Sequence, residues 1–258
     1  MSDTLKELSA IATKSVKKEK AAKEKRKRRA QLKIGPIDGV RPYEGLHNPL
    51  SRSDTSYKSG FLMRTKANDY EPVVALNDSD AEEAVKIEAI LQPNVYDVQC
   101  QPVKIKLLGG KGEPKSHTFD VGIQYDCGRT KLIYVRGQIS LDSSTSKSRI
   151  ANIVRHTPEN AADEIVVISD ASFSRVYRDN NRRILMCLMM PNAEADEGVV
   201  DLIDHASVGS RLEDIVADSG LPESVAYHAI MRMIGAGRIG AERDAVIDYP
   251  SQIWSTKL

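Results

Sequence analysis

Cysteine is scarce and scattered in this chain. Cys100, Cys127 and Cys187 form no C-x-x-C pair, which argues against a zinc ribbon, and an odd count points to buried thiols. The five histidines, His47, His117, His156, His205 and His228, make no local ligand motif either. Aromatic residues are sparse. Long apolar runs are missing: none approaches the roughly 20 residues needed to span a bilayer, and the N-terminus lacks an apolar signal core. The expectation is a cytoplasmic protein that makes no membrane contact.

What is present is ordinary in bulk and uneven in detail. The 258 residues suffice for one large domain or two modest ones. The net charge of +1 conceals a strong asymmetry. Residues 1–33 hold twelve Lys and Arg against four Asp and Glu, or +8, so the remainder carries −7. This segment, which includes Lys25, Arg26, Lys27, Arg28 and Arg29, has no Gly or Pro between residues 4 and 33 and no apolar stripe. It can form a helix but cannot dock on a core by itself. Two readings follow: a solvated tail, or a flexible or helical arm whose cations displace counterions from phosphates.

Residues 34–72 contain Gly35, Pro36, Gly39, Pro42 and Asn48-Pro49, which suggests an extended linker with no regular element. Patterning begins at residue 73. A short apolar run at 73–76 precedes the potential caps Asn77, Asp78 and Ser79, and a helix over 80–91 that Pro93 ends. Strands are expected at 95–101, 103–108, 118–125 and 131–136, with a turn at Asp126-Cys127-Gly128. A helix over 143–157, a strongly β run at 164–169 and a helix over 172–190 follow. This order makes residues 73–192 a mixed α/β domain. From residue 198 the pattern changes. A short helix at 199–205, a helix capped by Ser210, the turn at Gly220, and a helix from Pro222 to Ile234 precede a two-stranded wing made of 238–240 and 245–247. Residues 198–258 therefore suggest a winged helix-turn-helix domain.

Metal-dependent phosphodiester cleavage needs carboxylates that converge on Mg²⁺ or Mn²⁺, and a cation near the scissile phosphate. A helix Glu, an Asp on one strand of a hairpin, and a Glu-x-Lys or Gln-x-Lys on the return strand deliver this set. Strand alternation buries the middle residue and presents the flanking two. Here Glu82 occupies the helix position and Asp120 the hairpin position, but Tyr134 and Arg136 stand where Glu and Lys should be.

Residues 79–188 resemble TnsA, the endonuclease partner of certain cut-and-paste transposases. The likeness rests on Ser79-x-x-Glu82, on Leu91-x-Pro93-x-Val95, on Gln101-Pro102 and on Asp120. Val166-Val167-Ile168-Ser169-Asp170 leading to Asn181 completes it. Phe119 replaces the proline usual before the aspartate. The resemblance implies a restriction-endonuclease-like mixed sheet flanked by helices, with a winged helix behind it. It further implies Glu82 and Asp120 as ligands of Mg²⁺ or Mn²⁺, and DNA, a transposase or an ATPase regulator as partners. A tyrosine phenol brings no carboxylate charge at neutral pH, and arginine cannot shuttle protons. The resemblance therefore leads to a catalytically incomplete nuclease core that still binds DNA in transposition or another mobile-element process. The alternatives are an active endonuclease cutting one strand at element ends, with Gln138 or Gln124 as a further ligand, and a winged-helix transcriptional regulator. Arg149 and Arg155, on the helix after the hairpin, are candidate phosphate contacts. Tyr227, His228 and Arg232, on the outer side of the last helix, are candidate DNA contacts, although Glu213, Asp214, Asp218 and Glu223 make that surface acidic. A protein-docking role for this domain stands beside the DNA-reading one.

Overall fold

A computed structural model describes residues 33–50, 57–108, 114–205 and 209–257. The basic cluster Lys25, Arg26, Lys27, Arg28 and Arg29 lies outside the described residues.

The centre is a four-stranded mixed sheet flanked by helices. Its strands are β3 (Val95–Cys100), β6 (Val121–Tyr125), β7 (Thr130–Arg136) and β8 (Glu164–Ser169), in spatial order β3-β6-β7-β8. The first three pair antiparallel and β7–β8 parallel. Strand alternation sorts β7 cleanly between two faces. Ile133 and Val135 join Val121, Ile123 and Val98 under α1 (Asp80–Ile90), through Ala81, Val85 and Ala89. Leu132 and Tyr134 point the other way, to Ile153 of α3 (Ser144–His156) and to Phe119. The single-turn α2 (Gln138–Leu141) connects β7 to α3. On the α1 side, α4 (Arg175–Leu188) forms the outer layer.

Local chemistry explains several boundaries. Ser79, Ser143 and Ser174 cap α1, α3 and α4, each accepting a backbone N–H three residues on. Gly122 is required by close approach, because a Cβ there would lie 2.8 Å from Pro102 Cγ.

The structure corrects the reading of residues 34–72 as lacking regular elements. β1 (Ser59–Met63) pairs antiparallel with β2 (Val73–Asn77), and Arg41 bridges to Val73. Leu50 is buried against Val74 and Leu76. The strand expected over 118–125 is split: β5 (Ser116–Thr118) pairs with β4 (Lys104–Lys106), and a bend at Asp120 separates it from β6.

The C-terminal part runs α5 (Ala193–His205), β9 (Ser210–Arg211), α6 (Leu212–Asp218), α7 (Glu223–Gly235), β10 (Ile239–Ala241) and β11 (Gln252–Ser255). The strands form an antiparallel sheet in the order β10-β11-β9. Three expectations change here. α5 begins six residues earlier than residue 199, Ser210 is a strand residue rather than a cap, and β10 pairs with Gln252–Ser255 instead of 245–247. The largest hydrophobic cluster crosses the boundary expected near residue 192. Ile87, Leu91, Ile184 and Leu185 pack in one core with Val199, Ile215, Ile230 and Ile253. Among the described residues no helix is long and apolar enough to cross a membrane.

Candidate functional site

Glu82 and Asp120 are brought together from distant parts of the sequence. Glu82 sits in the first turn of α1 and is buried. Its backbone N–H donates to Ser79 Oγ at 3.2 Å, and its Oε2 accepts from the Asp78 N–H at 3.1 Å. Ser79 thus caps the helix, while the Glu82 carboxylate is held by the backbone just before that cap. Asp120 is partly buried at the β5–β6 bend. Its Oδ2 accepts the Val135 N–H at 2.7 Å, closing a gap in the β6–β7 ladder. Burial raises the pKa of both carboxyls. For Asp120 the negative charge of Glu82 adds to that effect and carries it to about 7, against the lowering influence of the Val135 hydrogen bond, Arg136 and Lys86.

Lys86 belongs to this group, and sequence reasoning missed it. It lies one turn after Glu82, is fully buried, and donates from Nζ to Leu76 O and Asn77 Oδ1, both at 2.9 Å. Its Nζ is 4.0 Å from Glu82 Oε2. Asn77 continues the chain to Ser59, which bonds Glu83, and Arg182 of α4 then pairs with Glu83 and Asp80. The only trace in the sequence is a lysine flanked by Val85 and Ile87 in a helix that is buried nearly all round.

Tyr134 does not join the carboxylates. It is 4% exposed, on the opposite face of β7, packed with Phe119, Leu132 and Ile153. The expectation that it presents a side chain to the site beside Glu82 is corrected by strand alternation: Val135, not Tyr134, faces α1. Arg136 lies at the strand end, donates from Nε to the Tyr134 hydroxyl, and its charge reaches both Glu82 and Asp120. Gln124 is at the hairpin end of β6, paired with Thr130 and remote from Asp120. The Gln138 side chain is taken up by Ser169 and Asp142. Among the described residues no group of three or more His, Cys, Asp or Glu converges as a metal site.

The segment 33–50 reaches the same region. The Tyr43 hydroxyl is buried without a hydrogen-bond partner, and its pKa is raised by burial and by Cys100 and Glu82. The His47 N–H donates to Gln101 Oε1 at 3.2 Å. Gln101 holds a left-handed φ of 49°, and its own N–H donates to Asp120 O. A cavity of about 280 Å³ between this segment and β3, lined by Arg41, Asp97, Cys100 and Gln101 among others, does not include Glu82 or Asp120.

The expected DNA contacts of the last helix are placed differently from one another. Arg232, expected on the outer side, is 4% exposed. It pairs with Asp196 of α5 at 2.8 Å and donates to Met190 O, tying α7 to α5 and to the connection between α4 and α5. Tyr227 is half-buried, accepts from Arg183 of α4 and donates to Ile247 O. Both depart from the outward expectation because α7 packs on α4, against Tyr227, and on α5, against Arg232. His228 is half-buried, Arg149 is half-buried on α3, and Arg155 is exposed there. The loop between β10 and β11 is also held inward. Asn180 donates to Arg243 O and Ala245 O and accepts from the Ile247 N–H, while Asn181 and Glu88 bind the Arg243 side chain.

No protein-family model matches the chain, and no curated protein matches it significantly.

Proposed function

We propose that this protein binds duplex DNA through a restriction-like nuclease core of incomplete catalytic set, with a winged helix at its C-terminal end, in a transposition or other mobile-element process. The observation that carries the reading is the meeting of Glu82, from the start of a helix, with Asp120, from the bend into a mixed sheet. The return-strand position that should supply the next carboxylate instead holds the buried Tyr134. Two carboxylates held where each is hard to ionise have little to offer folding; they suit a core descended from one that bound a divalent cation. The order helix, strand, helix, helix, hairpin over residues 193–255, with the first strand against the last, supports the winged-helix part. The +8 charge of residues 1–33 supports affinity for phosphate.

A working endonuclease is the second reading, favoured by Lys86. Its ammonium stands by Glu82 and lowers the Asp120 pKa, a cation near the carboxylates although not on the return strand. Glu82 and Asp120 would then hold Mg²⁺ or Mn²⁺, which would supply positive charge to a scissile phosphate.

Calorimetric titration with Mn²⁺, on wild type and on Asp120→Ala, separates the two, alongside binding and nicking of duplex DNA. The expected result is salt-sensitive DNA binding with no Mn²⁺ uptake and no nicking. Failure to bind duplex at low salt would sink the DNA reading. Mn²⁺ binding that Asp120→Ala abolishes, together with nicking, would establish the enzyme instead.

A further inference from the structure

The sheet face opposite α1 carries a second cluster that the carboxylate pair does not use. β5, β7 and α3 bring His117, Tyr134, Arg136 and Arg149 together. The His117 ring stands edge-on to Tyr134, with centroids 4.4 Å apart. The Arg136 guanidinium lies over the Tyr134 ring, 4.7 Å from its centroid, while its Nε donates to the Tyr134 hydroxyl. Burial, then the charges of Arg149 and Arg136, push the His117 pKa down to about 4, so its ring is neutral at pH 7.

These groups are short of partners. Among the described residues no carboxylate forms an ion pair with Arg136 or Arg149, whereas Arg178, Arg182, Arg232 and Arg243 are all paired. Arg149 Nε and His117 Nε2 are both shielded from solvent with no hydrogen-bond partner, and His117 as a whole is 5% exposed. A buried donor left unpaired costs roughly 1–3 kcal/mol, and more when charged. Arg149 Nε and His117 Nε2 lack an acceptor and Arg136 has only the Tyr134 hydroxyl, an arrangement that a ligand would relieve.

We infer that Arg136, Arg149 and His117 form a binding site for a phosphate oxyanion, with Tyr134 as the residue that positions Arg136. The chemistry fits. A guanidinium fork matches the geometry of a tetrahedral oxyanion and keeps its charge at every working pH. A neutral imidazole carrying its proton on Nε2 adds a donor without adding charge. The place also fits: Arg136 acts on Asp120 and Glu82 as well, so the bound phosphate sits at the rim of the carboxylate pair. Whether that phosphate belongs to the backbone of duplex DNA or is free in solution is a separate matter, and only the first source rests on the DNA-binding reading.

The test uses the full chain. Anisotropy of a labelled duplex across a salt series is measured for wild type, Arg149→Gln, Arg149→Lys, Arg136→Gln and a control, Arg129→Gln in the exposed β6–β7 turn. Calorimetry with pyrophosphate is run on the same proteins, after melting curves show that each is folded. The expected result is DNA affinity weakened about tenfold by Arg149→Gln, with the salt slope reduced by about one, while Arg129→Gln has little effect. Arg149→Lys, which keeps the charge but loses the fork, should fall between. Pyrophosphate binding lost in Arg149→Gln, with DNA binding unchanged, would assign the site to free phosphate. Wild-type DNA binding that neither glutamine variant alters, with no pyrophosphate binding, would overturn the inference and leave the DNA reading standing. No DNA binding, but pyrophosphate binding that needs Arg149, would do the reverse. Neither ligand binding would overturn both.

Discussion

Replacing Asp120 by asparagine should make the protein more stable at high pH and leave it unchanged at low pH. The carboxylate sits where burial and the Glu82 charge raise its pKa from 3.8 to about 7. Between those values the folded protein holds a proton that the unfolded chain has released. Wild-type stability therefore falls as pH rises through this window, and the loss is complete above pH 7. At about 1.4 kcal/mol per pH unit, the charged form costs at most ~4 kcal/mol. Glu82 shares part of that, since a proton on either carboxylate relieves both. Asparagine keeps an oxygen to accept the Val135 N–H, now 2.7 Å from Oδ2, and its amide can donate to Glu82. The expected gain is about 1–3 kcal/mol at pH 8, shrinking toward zero near pH 4. Urea denaturation followed by circular dichroism, with a chelator present, measures the difference between variant and wild type at each pH. A variant less stable at pH 8, or a gap that does not change with pH, would refute the reasoning. Asp120 would then be simply the acceptor that completes the β6–β7 ladder.

Gly235→Ala tests whether the two topological halves share one core. Its Cβ would lie 2.5 Å from Ile184 Cγ2 and 3.3 Å from Leu188 Cδ1, and the fully buried, β-branched Ile184 has little room to move. A loss of about 1–3 kcal/mol is expected, with a lowered melting temperature and a single thermal transition. Two separate transitions, only one of them shifted, would count against the shared core. Asn180→Ala removes the side chain that binds Arg243 O, Ala245 O and the Ile247 N–H. Faster amide hydrogen exchange at residues 243–247, with β6 and β7 still protected, is the expected result. Uniform loss of protection would mean that Asn180 holds the whole fold rather than this loop.

What the sequence made legible was local. Ser79 and Pro93 bracket α1, and the run from Ile165 to Ile168 marks β8, because caps, breakers and apolar runs act within a few residues. What was hidden depends on partners far along the chain. β1 is a five-residue strand following a stretch rich in Ser, and nothing near it announces its pairing with β2. Likewise 245–247 reads as well as a strand as 252–255 does. The choice is made by β9, more than forty residues upstream, and by Asn180, whose grip keeps 243–247 out of the ladder. Arg232 has the helical spacing of an outward residue; Asp196, which buries it, lies 36 positions away.

The candidate site shows the same division, with one instructive exception. Glu82 and Asp120 were legible because their spacing from Ser79, Pro93 and Gln101 is a chain property, and the fold does bring them together. Tyr134 was misplaced because reading Tyr134-x-Arg136 as a pair fixes which residues share a face, but not which face meets α1. That depends on the register of β7 against β6, where Val121 lies opposite Ile133. Ile133 and Val135 thereby go to the carboxylate side and Tyr134 to the side of α3, while Arg136, at the strand end, acts on the carboxylates and on His117 alike. The consequence reaches beyond one residue. On that face Tyr134 brings no group to the acids, but its hydroxyl accepts from Arg136. There Arg136 meets Arg149 and His117, three groups that no carboxylate neutralises. The absence of Tyr134 from the carboxylate pair and the proposed phosphate site thus share one cause, the register of β7 against β6.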